Sequence, residues 1–274
     1  MRVTKPVLAA CLQLTALAGV AAGQPARLGN GTVTTQALAG SLDQAIERAR
    51  AAATDARWLG FEIATIPGDR WMCDSNEWTR RQPPATSARL ESDTVAYVFL
   101  RYEAGALDKV RLFSPGCAID AGGRPVTWLT GVAPAESVRT LTALARRHER
   151  KAADGALAAL SMHAAPAALT ATIDLARSAP TPHTRGQALF WLSQRAGAQA
   201  AGAIDDALAR DPDTDVKKRA VFALSQLPAD EGVPRLIEVA RSHSNAAVRK
   251  QAMFWLGQTG DPRALAFFES VLLK

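Results

Sequence analysis

Ala156-Leu157-Ala158-Ala159-Leu160-Ser161 recurs as Ala188-Leu189-Phe190-Trp191-Leu192-Ser193, as Ala220-Val221-Phe222-Ala223-Leu224-Ser225 and as Ala252-Met253-Phe254-Trp255-Leu256-Gly257, each copy 32 residues after the last. Copies in unbroken register at this spacing are the mark of a repeat made of two helices and their turns. A cation stands ahead of three of them (Arg185, Lys217, Arg249). Ahead of each cation lies Thr181, Asp213 or Asn245, whose side chains can accept hydrogen bonds from the open amides of a helix start. Residues 165–178, 198–210, 231–242 and 261–273 read as the alternate helices, with 135–147 opening the series. One helical hairpin cannot bury its apolar stripe alone, so neighbouring hairpins must stack to make a core. The expectation for residues 134–274 is therefore an α-solenoid of four helical hairpins plus a closing helix, in a mostly α chain.

Working outward, residues 41–53 suit an amphipathic helix capped by Ser41, and alternation predicts strands at 60–66, 94–101, 109–113 and 126–129. Residues 41–133 thus form a small α+β domain, in which Trp58, Trp71, Trp78 and Trp128 supply core bulk. Residues 74–92 are polar and carry Pro83-Pro84, as a surface loop would. Residues 24–40 are small and polar without a period, so a flexible leader is expected there.

The first 23 residues, MRVTKPVLAACLQLTALAGVAAG, combine a cationic start, an apolar run to Val20 and small residues ahead of a cleavage point, which predicts a signal peptide and a periplasmic or secreted protein. Leu8-Ala9-Ala10-Cys11 spells a lipoprotein site, but most of the apolar stretch follows Cys11 instead of preceding it, which argues against an anchor. No later apolar run reaches the roughly 18 residues of a spanning helix, so no stable membrane insertion is expected after cleavage. Cys73 and Cys117 remain, and in an oxidising compartment a disulfide between them is the expectation. The net charge of +6 falls to +4 without Arg2 and Lys5, and the cations are interspersed with acids, which does not point to nucleic acid.

Val216-Lys217-Lys218-Arg219-Ala220-Val221-Phe222-Ala223-Leu224 and Val248-Arg249-Lys250-Gln251-Ala252-Met253-Phe254-Trp255-Leu256-Gly257, the latter followed by Thr259-Gly260-Asp261-Pro262-Arg263-Ala264, resemble HEAT repeats of the bacterial type. The resemblance spans about residues 134–274, and the whole chain is similar to exported bacterial HEAT-repeat proteins with a cysteine-containing N-terminal region. It implies that the repeated helix lines a concave surface, and it says little of function, since such folds serve scaffolds, regulators and some enzymes. The first copy departs from the pattern, with Ala152 in place of Val216 and Ala158 in place of phenylalanine, as a buried end repeat would.

At about 100° per residue, Ala220, Ala223 and Leu224 share one arc, whereas Phe222 lies on the other side between Lys218 and Gln226. Phe190, Phe222 and Phe254 then make a ladder, with Lys218 and Lys250 along one edge and Gln194, Gln226 and Gln258 along the other. Such a face suits a protein partner, an extended peptide or a helix; the same rings could instead fill gaps between successive helices. Trp191 and Trp255 read as packing, and Arg185, Lys217 and Arg249 as structural cations.

His148, His163, His183 and His243 share no ligand spacing, no nucleophile or phosphate-loop motif occurs, and neither metal nor cofactor is expected. Asp69, Arg70, Asp74 and Asp120 read as exposed charges near the disulfide. The sequence therefore favours a non-enzymatic protein-interaction scaffold using the concave face. The alternative is an enzyme or small-ligand binder whose site lies in the disulfide-bearing domain, at its junction with the first repeat.

Overall fold

The computed structural model describes residues 28–67, 73, 94–147, 150–195 and 198–273. The expected signal peptide with Cys11, the loop expected over 74–92, Trp71, Trp78, Asp69, Arg70, Asp74 and His148 lie outside them. Helix α1 is Leu42–Ala51, and nine more follow the strands: α2 Pro134–Ala145, α3 Arg150–Met162, α4 Pro166–Ser178, α5 Pro182–Ser193, α6 Ala198–Arg210, α7 Thr214–Ser225, α8 Ala229–Ser242, α9 Ala246–Thr259 and α10 Pro262–Leu272. The repeated hexamers fall in α3, α5, α7 and α9, which stack on one another as one row. Helices α2, α4, α6, α8 and α10 alternate with them as the second row. Four hairpins and a closing helix result.

The helix starts follow from side-chain chemistry. Thr181 accepts from the Thr184 amide, Asp213 from Asp215 and Val216, and Asn245 from Ala247. Proline opens α2, α4, α5 and α10, where its missing N–H costs nothing. Inside the array Ala156, Ala188, Ala220 and Ala252 occupy one fully buried level, and Leu160, Leu192, Leu224 and Leu256 another. The small level lets backbones approach, and the large level fills the space this opens between rows.

Five strands make one sheet in the order β2-β7-β3-β4-β5, where β2 is Val33–Ala37, β3 Arg57–Ala64, β4 Val95–Glu103, β5 Ala106–Phe113 and β7 Val126–Thr130. Two residues of β1, Leu28–Gly29, pair with β6, Ile119–Asp120. The flexible leader expected over 24–40 is corrected here: β1 and β2 lie within it, and β2 is an edge strand paired in parallel with β7 from Val33 to Ala37. Main-chain pairing is its main support, since Val33 is half-buried against the sheet's second core and Thr34, Thr35, Gln36 and Ala37 are exposed. A strand with four consecutive exposed residues leaves no alternation to read.

Alternation along β4 gives the sheet two different faces. Ala96, Val98, Leu100 and Tyr102 point with Leu59, Phe61, Ile63, Val110 and Leu112 into a core that is continuous with α1, α2, α3 and the repeats behind them. Tyr97, Phe99, Phe113 and Trp128 build a second core on the opposite face, together with Cys117, Ile119 and half-buried Cys73. Cys73 and Cys117 are bonded as a disulfide on this far side.

Helix α3 lies directly under β5. A methyl group at Gly155 would sit 2.0 Å from the Val110 carbonyl oxygen, so only glycine permits this approach. The end of β3 is stitched to the turn after α3, through Ile66 N–H to the Met162 carbonyl at 2.9 Å and Ala164 N–H to the Ala64 carbonyl at 2.8 Å. The sheet is in effect the layer on which the helical stack begins.

Candidate functional site

The phenylalanine ladder is built, but with a stagger. Phe190 and Phe222 stack nearly parallel, ring centroids 6.2 Å apart at 6°. Phe222 then meets Trp255 at 5.0 Å, and Trp255 meets Phe254 at 5.1 Å within its own helix. The run is therefore Phe190, Phe222, Trp255, Phe254. Between Trp191 and Trp255, the same position in α7 is Ala223, which is fully buried. The Trp255 indole N–H is buried without an acceptor among the described residues. Leaving such a donor unpaired costs about 1–3 kcal/mol, so the ring is kept there for its bulk.

Exposure grades along this run. Phe190 and Phe222 are half-buried and serve inter-repeat packing, each such ring pair contributing about 0.5–1.5 kcal/mol beyond area burial. Phe254 is 55% exposed, with Met253 beside it at 36%. Gln194 and Gln226 are exposed C-caps of α5 and α7 whose amides donate to the preceding Ser193 and Ser225. Gln258 is exposed near the end of α9. Of the two lysines, Lys218 is tied to Asp215 of its own helix at 3.1 Å, while Lys250 is exposed and makes no ion pair with the described residues. The structure thus brings the three phenylalanines onto one face with three exposed amides and one open cation, at the α9 end.

The cations ahead of each repeat are structural. Arg185 makes a two-pronged ion pair with Asp211, at 2.7 and 3.1 Å, and also donates to the Ala179 carbonyl. Lys217 donates to the Ala209 carbonyl, and Arg249 to those of His243 and Ser244. Of the three, Arg185 alone has a carboxylate partner among the described residues. The other two cap helix ends.

Residues 203–274 match the family model for HEAT repeats. No curated protein matches the chain. The HEAT match takes in Phe222, Phe254, Gln226, Gln258, Lys218 and Lys250 and leaves Phe190 and Gln194 outside it. HEAT repeats commonly mediate contacts between proteins.

One arrangement that the sequence did not suggest resembles a nucleophile with its base: Ser137 Oγ lies 2.7 Å from His163 Nε2, both buried. Its wiring excludes that role. His163 Nδ1 accepts the Ala165 amide at 3.0 Å, and burial holds the imidazole below its ordinary pKa. The neutral ring therefore carries its proton on Nε2 and donates it to Ser137, whose hydroxyl donates in turn to the Pro134 carbonyl. A base must accept from its nucleophile. The pair is a clasp between α2 and the turn after α3. This clasp and the Gly155 contact lie at the junction of the sheet with the first repeat, where a ligand site was the alternative expectation. Of the four charges expected near the disulfide, Asp120 alone is described: it accepts from the Gly122 amide and from Asn30, which hold its carboxyl below the usual range.

Proposed function

We propose that this protein is an exported, periplasmic, non-enzymatic scaffold that grips a protein partner along the face of α5, α7 and α9. The observation that carries the reading is the aromatic run that starts half-buried at Phe190 and emerges at Phe254 beside exposed Met253. An anchor ring standing on packed rings loses little side-chain freedom on binding, which is how a few residues come to dominate an interface. Exposed Gln226 and Gln258 offer both donors and acceptors to a main chain, and Lys250 favours an acid. The partner's chemistry is accordingly an apolar segment bearing acidic residues. The leader sequence supports export, as does the Cys73–Cys117 disulfide, because disulfides persist in oxidising compartments.

Benzoylphenylalanine placed at position 254 of the full chain tests this in the native envelope. Irradiation should give one adduct with a protein, and mass spectrometry of the adduct should identify a segment of the stated character. Phe254→Ala should weaken that complex at least about tenfold while leaving the helical circular dichroism and melting temperature unchanged. The reading fails if position 254 gives no adduct, or if Phe254→Ala leaves the complex intact.

A further inference from the structure

Within the array each repeat buries one face under the next, and the 32-residue register shows what becomes of that face in α9 and α10. Met253 is 36% exposed, whereas its counterparts Val221, Leu189 and Leu157 in α7, α5 and α3 are fully buried. In α10, Leu265 is 59% and Leu272 82% exposed. Their counterparts Val233 and Ala240 in α8, and Ala201 and Leu208 in α6, are buried. Helix stacks that meet water keep a polar outer face on the last unit. Here the outer unit keeps the apolar residues of an internal joint, and among the described residues nothing covers them.

Charges follow the same register. Asp154 of α3 reaches His183 of the next repeat at 2.7 Å, and Asp205 of α6 reaches Arg235 of the next at 3.5 Å. Steps of 32 residues lead from Asp154 through Gly186 and Lys218 to Lys250, and from Asp205 through Ile237 to Glu269. Gly186 keeps this direction, since a methyl group there would meet the Arg219 side chain of α7. Lys250 and Glu269 therefore lie on the side turned toward a following repeat. Both are exposed, and neither makes an ion pair with the described residues. Helices α9 and α10 form a hairpin, so Lys250 in the second turn of α9 and Glu269 in the last turn of α10 stand at the same end of it.

The sheet end of the array decides how a second copy can meet this face. Head-to-tail stacking needs the receiving side of a first repeat, and in α3 that side lies under β5 at the Gly155 contact. A second copy can offer only its own α9 and α10, in an isologous contact that closes at two chains. We infer that two copies of this chain pack tail to tail through α9 and α10 as a two-fold dimer. An axis running parallel to the helices lays α9 of each copy on α10 of the other. Met253, Leu265 and Leu272 are then buried, and Lys250 meets Glu269 of the second copy twice. The opposite charges at one end of the hairpin make the face complementary to itself. Lys250 also belongs to the proposed grip on a partner, but self-association is read on purified protein with no partner present, so either reading can fail alone.

Sedimentation equilibrium of the full-length mature protein, from about 1 to about 200 µM, tests it. A reversible monomer–dimer equilibrium is expected, with a dissociation constant of roughly 1–50 µM, because a face only two helices wide is small for a stable interface. Leu265→Glu and Leu272→Glu should each weaken the dimer at least about tenfold. Since both leucines are exposed in the single chain, the dilute variants should melt with the parent. Lys250→Glu and Glu269→Lys should each weaken the dimer about fivefold or more, and the double variant, with the charges exchanged, should regain the parent affinity. A monomer throughout the range overturns the inference, as do species larger than a dimer, or a dimer unchanged by Leu265→Glu. A double variant no tighter than its single variants overturns the two-fold arrangement.

Discussion

Helix α3 and helices α5, α7 and α9 carry the same repeated hexamer in the same register, yet they have opposite fates. In α3 every residue from Ala156 to Met162 is buried, because β5 lies across it. In α9 the buried set shrinks to Val248, Ala252 and Leu256, and Met253 and Phe254 emerge. The sequence difference is small and specific. Where α3 has Gly155 and Ala158, the later copies have Gln187 and Phe190, Arg219 and Phe222, Gln251 and Phe254. Two positions per copy thus decide whether a repeat presents its face to a sheet or leaves it open. Covered repeats are held by the sheet; open repeats must be held by one another.

The sharpest way to break this contrast is at the contacts between open repeats. Asp211→Ala should destabilise by about 3–5 kcal/mol in urea melts, because it leaves Arg185, whose side chain is 12% exposed, charged and unpaired. A loss below about 1 kcal/mol would place Arg185 in water and remove the claim that repeats lean on one another. Next in size is Gly155→Ala. The added methyl meets Val110 backbone, which cannot swing aside, and the expected cost is about 3 kcal/mol. Gly257→Ala in α9, where nothing lies within 4 Å, should instead be neutral or stabilise by up to about 1 kcal/mol. Equal responses at the two glycines would dissolve the distinction between covered and open copies.

The smallest expected effect concerns pH. His163 is buried neutral in the clasp with Ser137, and its pKa lies below the ordinary 6.5. The folded state therefore prefers the neutral ring more strongly than the unfolded chain does. This contribution to stability is fully present above pH 6.5 and is lost as pH falls from there toward the depressed folded value. Thermal melts taken from about pH 8 to about pH 5 should fall on the acid side, and His163→Gln should flatten that fall. An unchanged slope in the variant would assign the pH response to other groups.

The repeat could be read from sequence because burial recurs at fixed positions: Ala156 and Leu160 announce a level that Ala252 and Leu256 repeat. Its caps could be read for the same reason. Strand β2 could not, since it pairs along its main chain with β7 and four of its five side chains are exposed, so they record no alternation. The composition of the aromatic face was legible, but its stagger was not. A helical wheel places Phe222 and Trp255 on their own helices and says nothing of how far one helix slides past the next, which is what brings these two rings to 5.0 Å.

The close approach at Gly155 also has an evolutionary consequence. Helix stacks lengthen by duplicating a unit, and a unit can be inserted only where the surfaces on both sides accept it. A copy bearing Gln or Arg at the position of Gly155 has no room beneath β5, so no such unit can be added between the sheet and α3. Behind α3 any open copy can follow another. The lineage of this fold is therefore free to vary in length only on the side away from the sheet.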